Sequence, residues 1–146
     1  MQTFLPFSDF KKSAECLDNK RLGKQRLECT QLLKVLECKK SNIKVGWMNH
    51  PAALMWCGYE EALKAYTNEC LIAWINKGFK NTIQFFKVSE IIHPWWFGNE
   101  DFHRAMRSRL IVKKEEFYLP LFPEDKNFNN GKYFWPVNET KTFRII

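Results

Sequence analysis

The sequence contains no apolar run near the roughly 18 residues that a membrane-spanning helix requires, and its N-terminus lacks the charged and then apolar order of a secretory signal peptide. It also has no internal repeat, low-complexity tract or linker-like stretch. A chain of 146 residues is the size of one domain with one sizeable core. We therefore expect a soluble intracellular protein, of the cytoplasm or the nucleus, with a single domain over residues 1–146.

Cysteine and histidine patterns that would indicate disulfide bonds or a bound metal are missing. The five cysteines are odd in number and include no CxxC pair, and several fall at apolar positions of helical patterns. Reduced, buried thiols fit this arrangement best. The three histidines are widely spaced and make no recognisable ligand pattern. We predict no metal site and no cofactor.

Convincing runs of alternating apolar and polar residues, which mark half-buried strands, are also absent. Helical periodicity instead predicts a compact all-α fold with about three main helices, loops, and an aromatic C-terminal tail from residue 120 onward. Ser8 or Asp9 is the expected cap of the first helix. The predicted helices run from that cap to about residue 38 with a possible joint at Asp18-Asn19, over residues 52–77 with Gly78 at the C-terminus, and from Asn99 or Asp101 to about residue 118.

What the sequence has in excess is positive charge and aromatic side chains. The formal net charge is +7 at pH 7, and aromatic residues make up 16% of the chain. On the first helix, residues three and four apart share a face. The stretch LDNKRLGKQRLE therefore forms one stripe with a single carboxylate at its end, composed of Arg21, Lys24, Gln25 and Glu28. The third predicted helix carries a second basic zone.

Two basic zones on separate helices, together with the loop segments WWF and YFW, match the pattern of a nucleic-acid-binding protein. Cations contact phosphates, while flat rings stack on bases or wedge between them. Taken singly, each ring is better explained as core and each charge as solvated surface, but the combination favours nucleic acid. The residues expected to contact DNA are Lys20, Arg21, Lys24, Gln25, Arg26, His50, Trp96, Arg104, Arg107, Lys113 and Trp135.

The spacing L-x4-L-x5-E of Leu17, Leu22 and Glu28 resembles a helix of the pyrimidine-dimer DNA glycosylases of the phage endonuclease V type. The segments NHPAALMWCGYEEALKAY and AWINKGF are similar to the family's central helix, and PWWFGNEDFHRAMRSRL with the aromatic tail is similar to its C-terminal part. These segments cover most of the chain in family order. The resemblance implies the compact helical fold of that family.

The resemblance also implies a DNA repair enzyme that excises a damaged base and then cleaves the strand at the resulting abasic site (AP-lyase activity). The α-amino group, here that of Met1, would attack C1′ of the damaged nucleotide and form an imine, and Glu28 would transfer protons. An α-amino group ordinarily has a pKa of about 7.7–8.0, so a useful fraction is neutral at cellular pH. The implied partner is damaged double-stranded DNA, bound by a monomer.

Two positions depart from the family pattern. The phage enzymes expose a small second residue after their initiator methionine is removed, whereas this chain has Gln2, whose bulk favours retention of Met1. The phage pattern also has arginine immediately before the catalytic glutamate, where this chain has Leu27.

Three alternatives stay open at the level of sequence. Glu28 follows Lys24 by one helical turn, so the two can form an ordinary surface ion pair worth a few tenths of a kcal/mol. Lys20 or Lys24 can replace Met1 as the amine that forms the imine, although lysine ammonium groups hold their protons more tightly than a chain terminus. The protein can also be a non-catalytic nucleic-acid-binding member of the same fold.

Overall fold

The computed structural model describes residues 1–146. In chain order its elements are α1 (Phe10–Glu15), α2 (Asn19–Lys40), α3 (Pro51–Leu54), α4 (Glu60–Asn76), α5 (Glu100–Lys113), α6 (Glu115–Tyr118), two 3₁₀ turns (Pro123–Asp125 and Phe128–Gly131), β1 (Phe134–Val137) and β2 (Thr142–Ile145). The fold is mostly helical, and α2 packs along α4 in the core. None of its helices has the length and apolarity needed to cross a membrane.

The first predicted helix is divided at the expected joint. Asp9 caps α1, as one of the two predicted candidates, and its carboxylate accepts the Lys12 N–H at 2.8 Å. The chain leaves the helix at residues 16–18 and α2 begins at Asn19. The reason lies in Asp18, whose carboxylate accepts a hydrogen bond from the Tyr118 hydroxyl and pairs with Arg21 at 3.2 Å. The joint thus anchors α2 to the C-terminal part of the chain.

The prediction of one continuous helix over residues 52–77 is wrong, because the chain breaks between α3 and α4. Gly58 lies at a φ of +89°, a left-handed conformation that interrupts the helical path. The predicted C-terminus at Gly78 is confirmed. Its φ is +88°, and the N–H groups of Gly78 and Phe79 donate to carbonyls of the last turn at 2.9 and 3.4 Å, which completes a Schellman ending.

The all-α prediction is corrected by the two-stranded antiparallel sheet of β1 and β2, in which Trp135 lies opposite Arg144. Each strand has only four residues, and Pro136 interrupts the donor pattern, so the sequence carries no clear alternation.

The third predicted helix is also shorter than expected. It ends at Lys113 because Lys114 adopts an extended conformation (φ −154°, ψ 80°) before the short helix α6.

The core combines 27 buried hydrophobic residues, drawn from α1 to α6, the aromatic loops and the N-terminal segment. Gly23 lets α4 approach α2 closely, because a Cβ at this position would lie 3.0 Å from the ring of Trp74.

All five cysteines are free. Cys29 and Cys70 are buried as predicted, whereas Cys57 is exposed because it lies in the break between α3 and α4.

Candidate active site

The N-terminal segment, residues 2–6, is an extended and buried stretch whose edge faces α2. Gln25 Oε1 accepts the Phe4 N–H at 2.6 Å, and Gln25 Nε2 donates to the Gln2 carbonyl at 2.9 Å. One helical turn later, Glu28 Oε2 accepts the Gln2 N–H at 3.4 Å. The side chains of α2 therefore satisfy backbone groups that a neighbouring strand would satisfy in a sheet.

Side chains from other elements hold the rest of the N-terminal segment. The Tyr66 hydroxyl donates to the Phe4 carbonyl. His103 Nδ1 contacts the Leu5 carbonyl at 2.7 Å, while its Nε2 accepts the Gly98 N–H at 2.9 Å, so the ring is a neutral histidine that donates from Nδ1. Burial lowers the pKa of His103, which favours the same neutral state. Arg107 donates to the Pro6 carbonyl at 2.7 Å.

Met1, at the end of this segment, lines a cleft of about 340 Å³ together with Glu28. Folding therefore brings Met1 and the predicted catalytic carboxylate into one cleft, where Glu28 contacts the Gln2 N–H and forms no ion pair with the Met1 amine. Glu28 is the only carboxylate that lines the cleft. The other lining residues are Gln2, Phe4, Lys20, Arg21, Lys24, Gln25, Lys113 and Tyr133.

The cationic side of the cleft consists mainly of three lysines. Lys20, Lys24 and Lys113 are exposed and take part in none of the seven ion pairs of the structure, so their charges are free to meet an anion. Arg21 differs because it pairs with Asp18 and donates to the Lys113 carbonyl at 3.2 Å. Three of the residues predicted to contact phosphates thus line the cleft, together with Arg21, whose guanidinium is already bound within the protein.

Two residues of α2 that were predicted to contact DNA, Gln25 and Arg26, contact other parts of the protein in the structure. Gln25, predicted to contact DNA, is only 1% exposed, and its amide is already hydrogen-bonded to the N-terminal segment. The Arg26 guanidinium lies 4.5 Å above the ring of Trp74, and its Nε is buried, so much of this side chain packs on α4.

The second basic zone, on α5, is largely structural. Asp125 accepts from Arg104 at 2.8 Å and from Arg107 at 2.7 Å. Arg107 also pairs with Glu100 at 2.8 Å and is only 13% exposed. The guanidinium of Arg107, predicted to contact DNA, is instead bound within the protein by two carboxylates and the Pro6 carbonyl. Of the predicted contacts on α5, only Lys113 lines the cleft.

Trp96, predicted to contact DNA, is part of the hydrophobic core. Trp96 has no exposed surface, packs edge-on against Trp56 with ring centroids 4.9 Å apart, and donates from Nε1 to the Met55 carbonyl at 3.1 Å. Trp135 is 7% exposed and lies in a row of rings beside the cleft. It stacks on Tyr133, a cleft residue, at 5.1 Å and meets the edge of His50 at 5.9 Å.

His50 connects this row to a tryptophan that sequence reasoning missed. Its Nδ1 accepts the Ala52 N–H at 3.0 Å and caps α3, and its pKa is lowered by burial and by the positive charge of the nearby N-terminal amine. The Trp47 ring lies 5.1 Å from His50 and is 53% exposed, the highest exposure of the six tryptophans. The one sequence feature that could have indicated Trp47 is its position as the single aromatic residue in the turn-rich connector SNIKVGWMNHP.

An open, cationic cleft that holds a chain terminus and one carboxylate is suited to a basic enzyme that acts on a polyanion. The chain belongs to the pyrimidine dimer DNA glycosylase family, whose family model matches residues 1–87. Membership implies a role in DNA repair with DNA as the substrate. The matched range contains Met1 and Glu28, whereas Lys113 and Tyr133 lie beyond it. Searches of curated proteins and of solved structures found no match.

Proposed function

We propose that this single-domain protein acts as a monomer on damaged double-stranded DNA, as a glycosylase with AP-lyase activity. Its substrates are pyrimidine-dimer-like lesions and abasic sites. One observation carries the proposal: Met1 and Glu28 line a single cleft whose other charges include three lysines without ion pairs.

In the proposed reaction, the neutral Met1 amine attacks C1′ of the damaged nucleotide. A new N–C1′ bond forms as the glycosidic bond breaks, and the base leaves with the electron pair of that bond and takes up a proton. The nitrogen loses two protons, one of which is matched by the proton on the departing base and the other by the proton that O4′ takes up as the C1′–O4′ bond breaks and the sugar ring opens to an imine. Removal of a C2′ proton then expels the 3′ phosphate by β-elimination. Glu28 is the group in the cleft that relays these protons one at a time, from the nitrogen to O4′ and later from C2′.

The rest of the cleft binds the DNA strand. Lys20, Lys24 and Lys113 contact phosphates, since they are exposed and unpaired at the rim. Attack on C1′ requires a nucleotide displaced from the stack. The row from Tyr133 to Trp47 offers aromatic surface beside the amine for such a base, and Trp47 is its most exposed member.

The proposal is tested by borohydride reduction in the presence of a duplex with one abasic site. We expect a covalent adduct that peptide mass spectrometry maps to the N-terminal residue. Acetylation of the α-amine should abolish it, because an amide nitrogen cannot form the imine. An adduct that maps to Lys20 or Lys24 would identify a different nucleophile. Binding without any adduct would favour the non-catalytic nucleic-acid-binding alternative.

A further inference from the structure

The contacts of Gln25 resemble those of a neighbouring β-strand. In an extended chain, the N–H and C=O groups of alternate residues point to the same side. The backbone groups of Gln2 and Phe4 therefore lie on one edge of the segment. The Gln25 side-chain amide accepts the Phe4 N–H and donates to the Gln2 carbonyl on that edge. No strand pairs with this segment, since the only sheet contains β1 and β2. A buried side chain thus takes the place of a strand in setting the register.

The contacts farther along the segment do not reach the backbone of residue 2. Tyr66 and His103 hold the carbonyls of Phe4 and Leu5. The backbone of Gln2 is held by Gln25 at 2.9 Å and by the longer Glu28 contact at 3.4 Å. Without the Gln25 amide, the backbone of Gln2 would keep only the longer of these two hydrogen bonds.

We propose that Gln25 is a positioning residue for the reaction, and that it sets the register of the N-terminal segment so that the α-amine stays in the cleft that Glu28 lines. This inference rests on the proposed function. A slip of one residue moves the amine by about 3.3 Å and turns every side chain to the opposite face. That displacement is about as long as the 3.4 Å contact between the Gln2 nitrogen and Glu28 Oε2, so it would break the register in which Glu28 holds the start of the chain.

The test compares Gln25→Met, which keeps a similar volume and removes both hydrogen bonds, with the wild-type chain. The rate of adduct formation with an abasic duplex under borohydride is measured in single turnover, at a temperature where circular dichroism shows both proteins folded. We expect the rate to fall at least about tenfold, while affinity for the same duplex changes by less than about twofold. A folded variant that traps at the wild-type rate would overturn the inference.

Asn68 supplies a matched control. Its side chain accepts the Phe86 N–H at 2.9 Å and donates to the Phe86 carbonyl at 2.9 Å, which is the same kind of clamp in a segment outside the cleft. Asn68→Leu should lower the melting temperature to a similar extent and leave the trapping rate unchanged. Equal loss of trapping in both variants would show that Gln25 acts only through general stability.

Gln25→Glu gives a second readout that does not depend on tolerance of methionine. A protonated carboxyl keeps one donor for the Gln2 carbonyl and one acceptor for the Phe4 N–H, whereas the ionised form has no donor. The ratio of its trapping rate to that of the wild type should fall as pH rises through the pKa of the introduced carboxyl. A pH-independent ratio would contradict the inference. A wild-type protein that never traps would instead overturn the proposed function, and this inference with it.

Discussion

The backbone nitrogen of Gln2 lies 3.4 Å from Glu28 Oε2, and Met1 extends one residue farther into the same cleft. The carboxylate therefore binds the peptide group that directly follows the proposed nucleophile. If the amine is the nucleophile as proposed, the reaction depends on the exact start of the chain, because each added residue moves the amine by about 3.3 Å.

The first prediction concerns that sensitivity. One glycine added ahead of Met1 should reduce borohydride trapping at least about tenfold, since it carries the amine away from Glu28. A chain that begins at residue 2 should still trap, because its free amine would occupy the position 3.4 Å from the carboxylate. Single-turnover trapping measures both, with Gln2→Thr included because an N-terminal glutamine can cyclise. Equal trapping by the extended chain would contradict the proposed role of the terminus.

The second prediction concerns the carboxylate. Glu28→Gln keeps the shape of the side chain but removes the proton acceptor, so strand cleavage should fall on the order of 100-fold or more. Affinity for the abasic duplex should persist or rise, because a negative charge leaves a cationic cleft. Gel assays of cleavage and equilibrium binding measure the two effects. Glu37→Gln, an exposed position on α2 outside the cleft, is the control and should behave as wild type.

Much of the site was predictable from short-range patterns. The placement of Glu28 at the end of a cationic helical stripe follows from helical spacing, and the Asp9 cap and the Gly78 ending follow from local conformational preferences. The joint at Asp18-Asn19 was visible for the same reason. Each of these features depends on residues within a few positions along the chain.

Features that depend on distant partners were not predictable. The stripe contains Gln25, but the sequence does not show that the N-terminal segment covers that side chain. Arg107 looks like a DNA contact until its carboxylate partner, Asp125, is found 18 positions later. Trp96 and Trp47 illustrate the same problem. One ring is buried in the core and the other is exposed, and the residue type alone does not distinguish them.

The third prediction concerns salt dependence. Replacing Lys20, Lys24 and Lys113 singly with glutamine should each reduce the slope of log affinity against log salt by roughly 0.9, the expected value for one phosphate contact. Lys34→Gln, at an exposed α2 position outside the cleft, should leave the slope unchanged. Fluorescence anisotropy from 50 to about 200 mM salt measures the slopes. Identical slopes in all four variants would show that DNA binds another surface.

The fourth prediction separates two tryptophans. Trp47→Ala should weaken binding to a damaged duplex by about 1–3 kcal/mol, the range for one stacked base, with a smaller effect on intact duplex. Trp96→Ala should instead lower the free energy of unfolding by about 3–5 kcal/mol, because it leaves a cavity in the core. Binding isotherms and urea denaturation distinguish the effects. Unchanged affinity in Trp47→Ala would remove this ring from the binding surface.

The fifth prediction concerns acid stability. Burial alone would raise the pKa of Asp18, but the hydrogen bond from Tyr118 and the charge of Arg21 outweigh it, so the folded-state pKa is lowered. The resulting stabilisation is fully present above the ordinary pKa of about 3.9 and is lost as pH falls through the lowered value. Asp18→Asn should cost about 1–3 kcal/mol at pH 7.

Urea denaturation between pH 7 and pH 2 measures this effect. The free energy of unfolding of Asp18→Asn should approach that of the wild type at the acid end of the series, where the wild-type carboxyl is protonated. Glu116→Gln removes an exposed carboxylate that forms none of the ion pairs and should follow the wild-type curve throughout. A constant difference between Asp18→Asn and wild type at every pH would contradict the proposed ionic contribution.

The burial of the N-terminal segment also orders events during synthesis. Residues 2–6 leave the ribosome well before α5, because the partners of Leu5 and Pro6 on α5 lie 98 and 101 positions later. Contacts of such long range form late, since they close a large loop. A chain interrupted before α5 would carry Glu28, Lys20 and Lys24 but would not hold its first residues in the native register. In the proposed reaction, only a chain that has finished folding would therefore present its amine to DNA.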